Sequence, residues 1–489
     1  MKTTFKKMLC LLLAIAFVFS LAACNKGNTD SAIDLGGDEG WDIETDASGN
    51  NGADGTNSTG NTSNATQTGT GNNKPVVQTP VIKDADSLSW RELVAQMPAA
   101  LRGTTVTVFS WNPPKDVTGA ERVISDFTKQ TGIKVNWVQG SYDTYDTDLA
   151  AKINSGNSPD VIRYRLPDIS RMYLTQDVAT ATGYDFKGDI WDKTVSKYFT
   201  VKGKVYGVNL KNTFNKQPTV VAYRQSMIDR YKLDDPYELW KAGEWDFDTF
   251  IEICKEFMQE TKRSAWMTSA QLDPMWFSGV SLIKFDGEKY TNNLSDKKVI
   301  DALRKCVQLR VDDVIPKTTR NNDSFENGTY LFYTDNILSH RKTDFHFATL
   351  KDEGDLYCVP FPTGLTDTYY QAYNESEAYG IPKGAKNPQA VYFYLRAYLN
   401  KDNYDKNIFF SDKKTLEVYE WCVSQENVHY VIDRQSLPSI VNGSHSGGLE
   451  SFLNTTPTEA NLQTFIDSNT NPTIESAIKS FNATVAKFE

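Results

Sequence analysis

Strand-like and helix-like segments alternate through residues 105–162, and this alternation limits the possible folds more than any other feature of the sequence. The expected elements are a strand at 105–109, a helix from Ala120 that ends at Gly132, a strand at 133–138, a helix that stops near Gly156, and a strand from Asp160. Strands that alternate with helices imply a parallel sheet, with ligand-binding loops at the C-terminal ends of the strands.

The folded body is too long for one hydrophobic core. It runs from about Leu101 to Glu489, and single cores seldom serve more than roughly 250–300 residues, so we expect two lobes. The second half is richer in helices. Asp246 is placed to cap one of them, and Pro388 suits the first turn of another.

The N-terminus reads as a bacterial lipoprotein signal. Three lysines precede the apolar run Met8–Leu21, which is shorter than the ~20 residues that span a membrane, and small residues then lead into Cys24. We expect cleavage before Cys24 and acylation of its thiol, palmitate included. The protein would then be held by lipid on the extracytoplasmic face of the cell membrane, in a Gram-positive cell surface. The alternative is an ordinary signal peptide with a cysteine near its cleavage site.

Residues 25 to about 85 have the composition of a tether. Gly49–Asn73 consists almost entirely of Gly, Asn, Thr, Ser, Ala and Asp, a composition that cannot bury enough apolar surface to offset the entropy of ordering. We expect this segment to be disordered, with a short helical segment at Ser87–Leu101 where the folded body begins.

Charge and cysteine content exclude several classes of partner and site. The net charge is −10, and no basic cluster follows the signal region, which argues against nucleic acid and anionic lipid surfaces as partners. The remaining cysteines contain no CxxC pair and are Cys254, Cys306, Cys358 and Cys422. Export permits disulfides among them in three pairings, but Cys254 and Cys306 fall on the apolar faces of predicted helices, which favours buried free thiols.

Six short motifs follow one another between residues 104 and 400. They are Phe127–Val135 (FTKQTGIKV), Ser155–Ile162 (SGNSPDVI), Gly203–Asn209 (GKVYGVN), Tyr223–Met227 (YRQSM), Gly243–Phe250 (GEWDFDTF) and Tyr379–Pro388 (YGIPKGAKNP). Together they resemble the extracellular solute-binding proteins of family 1, the carbohydrate-type receptors of ABC importers related to maltose-binding protein. Residues 401–489 carry none of these motifs.

The resemblance implies an α/β chain with a two-lobed, periplasmic-binding-protein-like (type II) fold, a hinge and an interlobe ligand cleft. Tyr206–Asn209 would be the first crossing between lobes and Cys358–Pro362 the second. The expected limits are 1–23 for the signal peptide, 24–85 for the lipidated cysteine and tether, 86–208 and 358–400 for lobe 1, and 209–357 and 401–489 for lobe 2.

Sugars present apolar faces and hydroxyl edges, so a sugar site needs aromatic planes and planar polar groups. Residues of these types lie mainly at predicted strand ends. The first-lobe candidates are Trp111, Asn112, Lys115, Asp116, Arg163, Tyr164, Arg165, Asp168 and Asn209. The second-lobe candidates are Trp276, then Asp335 and Asn336 after a strand at 330–333, with Tyr373 and Glu375 returning from the first lobe.

Each candidate has a structural alternative. Trp276 is the preferred stacking residue, and we expect Trp276→Ala to abolish binding with little loss of folding. Trp240 and Trp245 fit packing better than stacking, and Asp160 fits a structural carboxylate. Asp143, Asp146 and Asp148 lack the spacing of a calcium-binding EF-hand loop and suit a helix N-terminus better.

Catalytic motifs are missing from the sequence. It has four histidines but no HExxH, no GxSxG and no Walker loop, so we expect no enzyme activity, no metal and no cofactor. The predicted function is capture of a carbohydrate, most simply an oligosaccharide, by a monomeric receptor that delivers it to ABC permease subunits. The alternatives are a surface glycosidase and a glycan-binding or sensory lipoprotein without a transport partner. Arg163, Arg165 and Arg171 leave both neutral and anionic sugars open.

Overall fold

The computed structural model describes residues 80–489 apart from 115–118, 142–143, 165–166, 269–270, 318–321, 342–345, 364–370, 374–377, 405–409, 411, 431–447 and 456. Its strands are β1 (Thr105–Ser110), β2 (Lys134–Gln139), β3 (Val161–Arg163), β4 (Thr175–Gln176), β5 (Thr200–Val201), β6 (Lys204–Val205), β7 (Thr219–Arg224), β8 (Trp266–Met267), β9 (Ile283–Phe285), β10 (Tyr290–Asn292), β11 (Phe332–Asn336), β12 (Leu356–Pro360), β13 (Gln371–Tyr373), β14 (Tyr379–Pro382) and β15 (Val428–Tyr430).

The α-helices are α1 (Trp90–Ala95), α2 (Ala120–Thr131), α3 (Tyr145–Asn154), α4 (Ile169–Tyr173), α5 (Val178–Thr182), α6 (Lys193–Tyr198), α7 (Gln225–Tyr231), α8 (Pro236–Ala242), α9 (Phe247–Thr261), α10 (Asp273–Phe277), α11 (Lys297–Val311), α12 (Asn322–Glu326), α13 (Ala348–Glu353), α14 (Pro388–Tyr398), α15 (Lys413–Ser424), α16 (Leu449–Asn454), α17 (Glu459–Phe465) and α18 (Asn471–Val485). Short 3₁₀ turns occur at Ala85–Ser87, Ala99–Leu101, Ile337–His340 and Lys401–Asn403, and a π-helical turn at Ile466–Thr470 joins α17 to α18.

The first sheet has the strand order β2-β1-β3-β14-β4. β1 is parallel to β2 and β3, whereas β14 is antiparallel to β3 and β4. The predicted β-α-β start and its parallel sheet are therefore confirmed, and Gly132 ends α2 with a φ of 74°. The parallel strands β1, β2 and β3 end at one edge of this sheet, which we call the first-sheet edge.

The second sheet has the order β12-β7-β11-β8, in which β11 is antiparallel to β7 and parallel to β8. One edge of this sheet holds the ends of β8, β11 and β12 and the beginning of β7, because β7 runs opposite to β11 and β12. We call it the second-sheet edge. The two sheets, each covered by helices, give the two-lobed α/β fold.

The chain leaves the first sheet later than the sequence suggests. Val208 bridges Tyr379 of β14 and Thr213 bridges Asn400, and Phe214 still packs in the first core. The passage to the second sheet therefore lies between Phe214 and the start of β7, beyond the expected crossing at 206–209. The return passage follows β12, which ends at Pro360.

Asp160 binds three parts of the first lobe together. Its carboxylate accepts the backbone N–H of Thr107 in β1 at 2.8 Å and those of Lys386 and Asn387, just before α14, at 2.8 and 2.6 Å. Burial nevertheless raises the pKa of this carboxyl. The structural interpretation of Asp160 is confirmed.

The hydrophobic cores account for several residues that the sequence left open. Trp245 is buried in the second core, where its indole N–H donates to the Pro360 carbonyl at 2.9 Å. Trp240 packs at the border of the same core, at 5.7 Å from the Trp421 ring. Both therefore serve packing, as expected. The four cysteines of the body are buried and free, which confirms the preferred interpretation.

Candidate functional site

Aromatic rings gather at the first-sheet edge. The Tyr145 hydroxyl, at the start of α3, donates to the carbonyl of Phe109 at 2.6 Å, and the two rings stack at 4.6 Å. The Trp111 ring meets the Tyr145 ring edge-on at 5.1 Å. Burial raises the pKa of Tyr145, so the phenol stays protonated as a donor. The three rings form a fixed platform of which Trp111 is the part-exposed end.

Two arginines stand over this platform. The Arg163 guanidinium lies 4.8 Å from the centre of the Trp111 ring, and that of Arg171 lies 5.4 Å from the Tyr145 ring. Arg171 also makes a two-pronged ion pair with Asp146, with Nε–Oδ1 at 2.5 Å and Nη2–Oδ2 at 2.9 Å. Because Asp146 compensates Arg171, this arginine adds little net positive charge to the edge.

Two further first-lobe candidates lie at this edge with different roles. Asp168 caps α4, and its Oδ1 accepts the N–H of Ser170 at 2.7 Å and of Arg171 at 3.2 Å. Burial raises its pKa. Asn112 is exposed, and its carbonyl accepts the indole N–H of Trp137 at 3.1 Å. Asp168 therefore shapes the edge with one oxygen already committed, whereas Asn112 keeps its side chain toward solvent.

Tyr164 and Asn209 lie inside the protein. Tyr164 is fully buried, and its hydroxyl pairs with Thr175 Oγ1 at 2.8 Å. Its ring occupies the space that a side chain at residue 380 would need, which explains the glycine there. Asn209 bonds to Asn215 through its amide and accepts the N–H of Leu210. We therefore leave Tyr164 and Asn209 out of the proposed site, because their side chains serve the interior of the first lobe.

Trp276 belongs to α10, the helix that follows β8 of the second sheet along the chain. Its side chain is 0 % exposed, and its Nε1 has no hydrogen-bond partner among the described residues. The expectation that Trp276→Ala would cost little stability is therefore corrected, because emptying a fully buried tryptophan site costs about 3–5 kcal/mol.

Asp335 and Asn336 do not follow their strand but end it. They are the last residues of β11, paired with Val220 and Thr219. Asp335 accepts the N–H of Asn336 at 2.8 Å, and Asn336 caps the following 3₁₀ turn by accepting from Leu338 at 2.9 Å. Both lie at the second-sheet edge with their oxygens partly used by the backbone.

The other candidates cannot be placed by their side chains. Tyr373 is the last residue of β13, opposite Tyr430 of β15, and only its backbone is described. The candidates Lys115, Asp116, Arg165 and Glu375, with Cys24 of the lipid anchor, lie outside the described residues.

One apolar cluster connects the first-sheet edge with α10 and the C-terminal helices. It contains Phe109 and Tyr145 from the first-sheet edge and Trp276 from α10, and Trp111 packs against it. The structure thus brings Trp111, Arg163 and Asp168 together at the first-sheet edge, and Trp276 belongs to the same apolar cluster as Phe109 and Tyr145. Sequence reasoning missed Tyr145 and Asp146, because their participation depends on how the start of α3 folds back on β1.

Other possible sites contribute nothing to this one. A surface hollow of about 400 Å³ lies between α16 and α17, and none of the predicted site residues lines it. Within the described residues, no cluster of three or more His, Cys, Asp or Glu side chains could hold a metal ion. No helix in the described part of the chain is long and apolar enough to cross a membrane.

Comparison with known proteins places the chain among binding proteins. A family model described as bacterial extracellular solute-binding protein matches residues 122–409. No curated protein sequence matches the chain.

Solved structures share the fold at low identity. An ABC substrate-binding protein from Listeria monocytogenes, solved with cycloalternan, is 16% identical, with 78% of this chain and 99% of that chain covered and a TM-score of 0.54. The sugar-binding protein MalE from Xanthomonas citri is 15% identical, with 78% and 98% covered and a TM-score of 0.56. The galacto-N-biose-/lacto-N-biose I-binding protein from Bifidobacterium longum is 15% identical, with 77% and 97% covered and a TM-score of 0.55.

Proposed function

Because the chain belongs to the bacterial extracellular solute-binding protein family, we propose that it captures a carbohydrate in the cleft between its two lobes for an ABC transporter. The observation that carries this proposal is the aromatic platform at the first-sheet edge, where Arg163 lies over Trp111, together with the apolar cluster that extends from Phe109 and Tyr145 to Trp276 of α10. The fold is that of sugar receptors in ABC systems.

The chemistry of the first-sheet edge suits a neutral sugar. An aromatic ring contacts the apolar face of a pyranose, and arginine and amide groups bind its hydroxyls. Among the described residues of this edge, the two arginines, Arg163 and Arg171, are matched in number by two aspartates, Asp146 and Asp168, and Arg171 is paired directly with Asp146. We therefore propose neutral oligosaccharides before uronates as the solute.

Capture requires the lobes to move. A ligand drives closure only through contacts that differ between the open and closed states. The apolar cluster contains side chains of β1 and β3 and of α10, which follows the second sheet, so separation of the lobes would expose part of it, and a bound sugar would replace part of these contacts. We propose that the protein binds its solute without transforming it, as a monomer that docks on permease subunits.

A ligand screen tests this proposal. Thermal unfolding of the intact protein should be measured with maltotriose, raffinose, xylotriose, galactobiose, trigalacturonate, sorbitol and thiamine, followed by product analysis. A ligand at ~1,000 times its Kd stabilises by about 4 kcal/mol and raises the Tm by several degrees. We expect a shift from a neutral oligosaccharide that is recovered intact. Consumption of the sugar would indicate a glycosidase, a shift with trigalacturonate alone would make the solute anionic, and no shift with any carbohydrate would overturn the proposal.

The membrane anchor is a separate part of the proposal. We propose that Cys24 carries the lipid and that the Gly/Asn-rich segment after it tethers the body. The protein expressed in a Gram-positive host should incorporate labelled palmitate and partition into detergent. Cys24→Ala should abolish both, while Cys10→Ala, within the signal segment, should change neither. Labelling of the Cys24→Ala protein would contradict the lipid assignment.

A further inference from the structure

Buried polar atoms without partners are concentrated near the second-sheet edge. Thr268 directly follows β8, and Gln271 precedes α10, which carries Trp276. Thr268 is 3 %, Gln271 6 % and Trp276 0 % exposed. Thr268 Oγ1, Gln271 Oε1 and Trp276 Nε1 have no hydrogen-bond partner among the described residues. Burying such a group without a partner destabilises the folded state, so native proteins leave few of them.

The backbone that carries two of these groups is held by a carboxylate from the C-terminal helices. Glu450 of α16, which is 7 % exposed, accepts the N–H of Gln271 at 2.8 Å and that of Leu272 at 2.9 Å. The N–H of Trp276 in turn bonds to the Leu272 carbonyl at 3.1 Å. One buried side chain from the C-terminal helices thus positions the segment 271–276, in which Gln271 Oε1 and Trp276 Nε1 have no partner among the described residues.

The unpaired atoms match what a carbohydrate offers. A sugar hydroxyl both donates and accepts. The threonine hydroxyl can do both, the glutamine carbonyl accepts and the indole N–H donates. Thr268 directly follows β8 at the second-sheet edge, and Trp276 belongs to the same apolar cluster as Phe109 and Tyr145 of the first-sheet edge. We infer from these two positions that the unpaired groups lie beside the proposed cleft.

We propose that Thr268 and Gln271, with the indole N–H of Trp276, supply hydrogen bonds to the bound carbohydrate, and that Glu450 is the residue that positions them. This inference rests on the proposed function and adds to it the second-lobe residues that determine specificity. It also gives the C-terminal helices a role in recognition.

Isosteric substitutions separate recognition from packing. Thr268→Val and Gln271→Met remove an unpaired polar atom and keep the volume, so each should raise the Tm of the ligand-free protein by roughly 2 °C. Each should also weaken carbohydrate binding about tenfold. Thr470→Val is the matched control, because Thr470 Oγ1 is also buried and unpartnered but lies in the π-helical turn of the C-terminal helices. It should raise the Tm in the same way and leave affinity unchanged.

The role of Glu450 is tested by the same two measurements, carbohydrate affinity and Tm. Glu450→Ala should weaken affinity in the fully folded protein about tenfold and also remove the additional tenfold effect of Gln271→Met, because a displaced segment no longer presents residue 271. Glu450→Gln keeps one acceptor oxygen and should restore part of the affinity. A purely structural Glu450 would lower the Tm without changing the affinity of the folded protein.

The titrations use the full chain and whichever of maltotriose, raffinose, xylotriose and galactobiose gives the largest shift with the wild type. Unchanged affinity in Thr268→Val and Gln271→Met, while the wild type binds, would overturn this inference and leave the proposed function standing. A wild type that binds none of the four overturns both.

Discussion

The two lobes use buried carboxylates in contrasting ways. In the first lobe, Asp160 accepts three backbone N–H groups and ties β1 to the start of α14. Next to the second sheet, Glu450 accepts two backbone N–H groups and holds the segment 271–276, in which Gln271 Oε1 and Trp276 Nε1 have no partner among the described residues. The hydrogen bonds around Asp160 are complete without a ligand and stabilise the first lobe. The segment held by Glu450 is fixed in position but keeps polar atoms without partners, which is what a binding surface requires.

The largest loss of stability should come from removing the Asp160 carboxylate. Asp160→Ala leaves three backbone N–H groups without their acceptor and should lower the free energy of unfolding by about 4 kcal/mol. Urea unfolding monitored by circular dichroism measures it. Asp160→Asn, which keeps one oxygen, should recover part of the loss. Because Asp160 does not contact the cleft, the folded fraction should bind carbohydrate as the wild type does. A loss below 1 kcal/mol would contradict the structural role.

Buried histidines should make the stability of the two lobes respond differently to acid. Burial lowers the pKa of His340, after β11, and of His429, in β15, to about 4 each. The unfolded chain binds their protons near pH 6.5. The stability that each buried neutral ring contributes is therefore fully present above that pH. About 3 kcal/mol of this free energy of unfolding is lost as the pH falls to 4. In the first lobe the raised pKa values of Asp160 and Asp168 act in the opposite direction, because the folded state binds those protons more tightly.

Hydrogen exchange between pH 7 and pH 4.5 measures this difference. Amides of β11 and β15 should lose protection before those of β1 and β3. His340→Gln should reduce the loss of unfolding free energy at acid pH. His340→Phe, which fills the same buried site without a titratable group, would test whether the volume of the side chain alone accounts for the stability. Equal loss of protection in both lobes would contradict the assignment.

A smaller effect should come from the segment that precedes the first sheet. Asp86 accepts the indole N–H of Trp191 at 2.8 Å, the hydroxyl of Tyr392 at 2.7 Å and the N–H of Gly188 at 2.7 Å. These bonds fasten the start of the folded body to α14. Asp86→Ala should cost about 2 kcal/mol and increase proteolysis near residue 86. Asp84→Ala, two residues earlier, is the control and should have little effect, and equal proteolysis in the two variants would contradict the fastening role.

The sequence predicts the local elements of this protein well and the long-range ones less well. β1, α2 and β2 follow from periodicity and from Gly132, and Asp246 caps its helix and Pro388 lies in the first turn of its helix, as expected. These features depend on neighbouring residues only. The crossing after Phe214 and the extension of β11 through Asn336 depend on pairing with distant strands, which local patterns do not specify.

The same distinction applies to the site. Trp111 and Arg163 were predicted because they lie at the ends of parallel strands. Tyr164 is the residue after Arg163, just beyond the end of β3, and its side chain is buried in the core, where its hydroxyl pairs with Thr175 Oγ1. Glu450 and Gln271 meet across a large separation in the sequence, and no motif marks either residue. Their contact becomes visible only once the C-terminal helices are folded onto α10.

The most direct test of the account is the affinity of the cleft for carbohydrate. Isothermal titration of the intact protein with the best neutral oligosaccharide should be compared with Trp111→Ala and with Trp90→Ala. Trp90 lies in α1, where it bonds to Gln130 and packs on Phe127. We predict at least a tenfold loss of affinity in Trp111→Ala, because the sugar loses its stacking surface, and unchanged affinity in Trp90→Ala. Equal affinities in all three proteins would contradict a ligand site between the sheet edges.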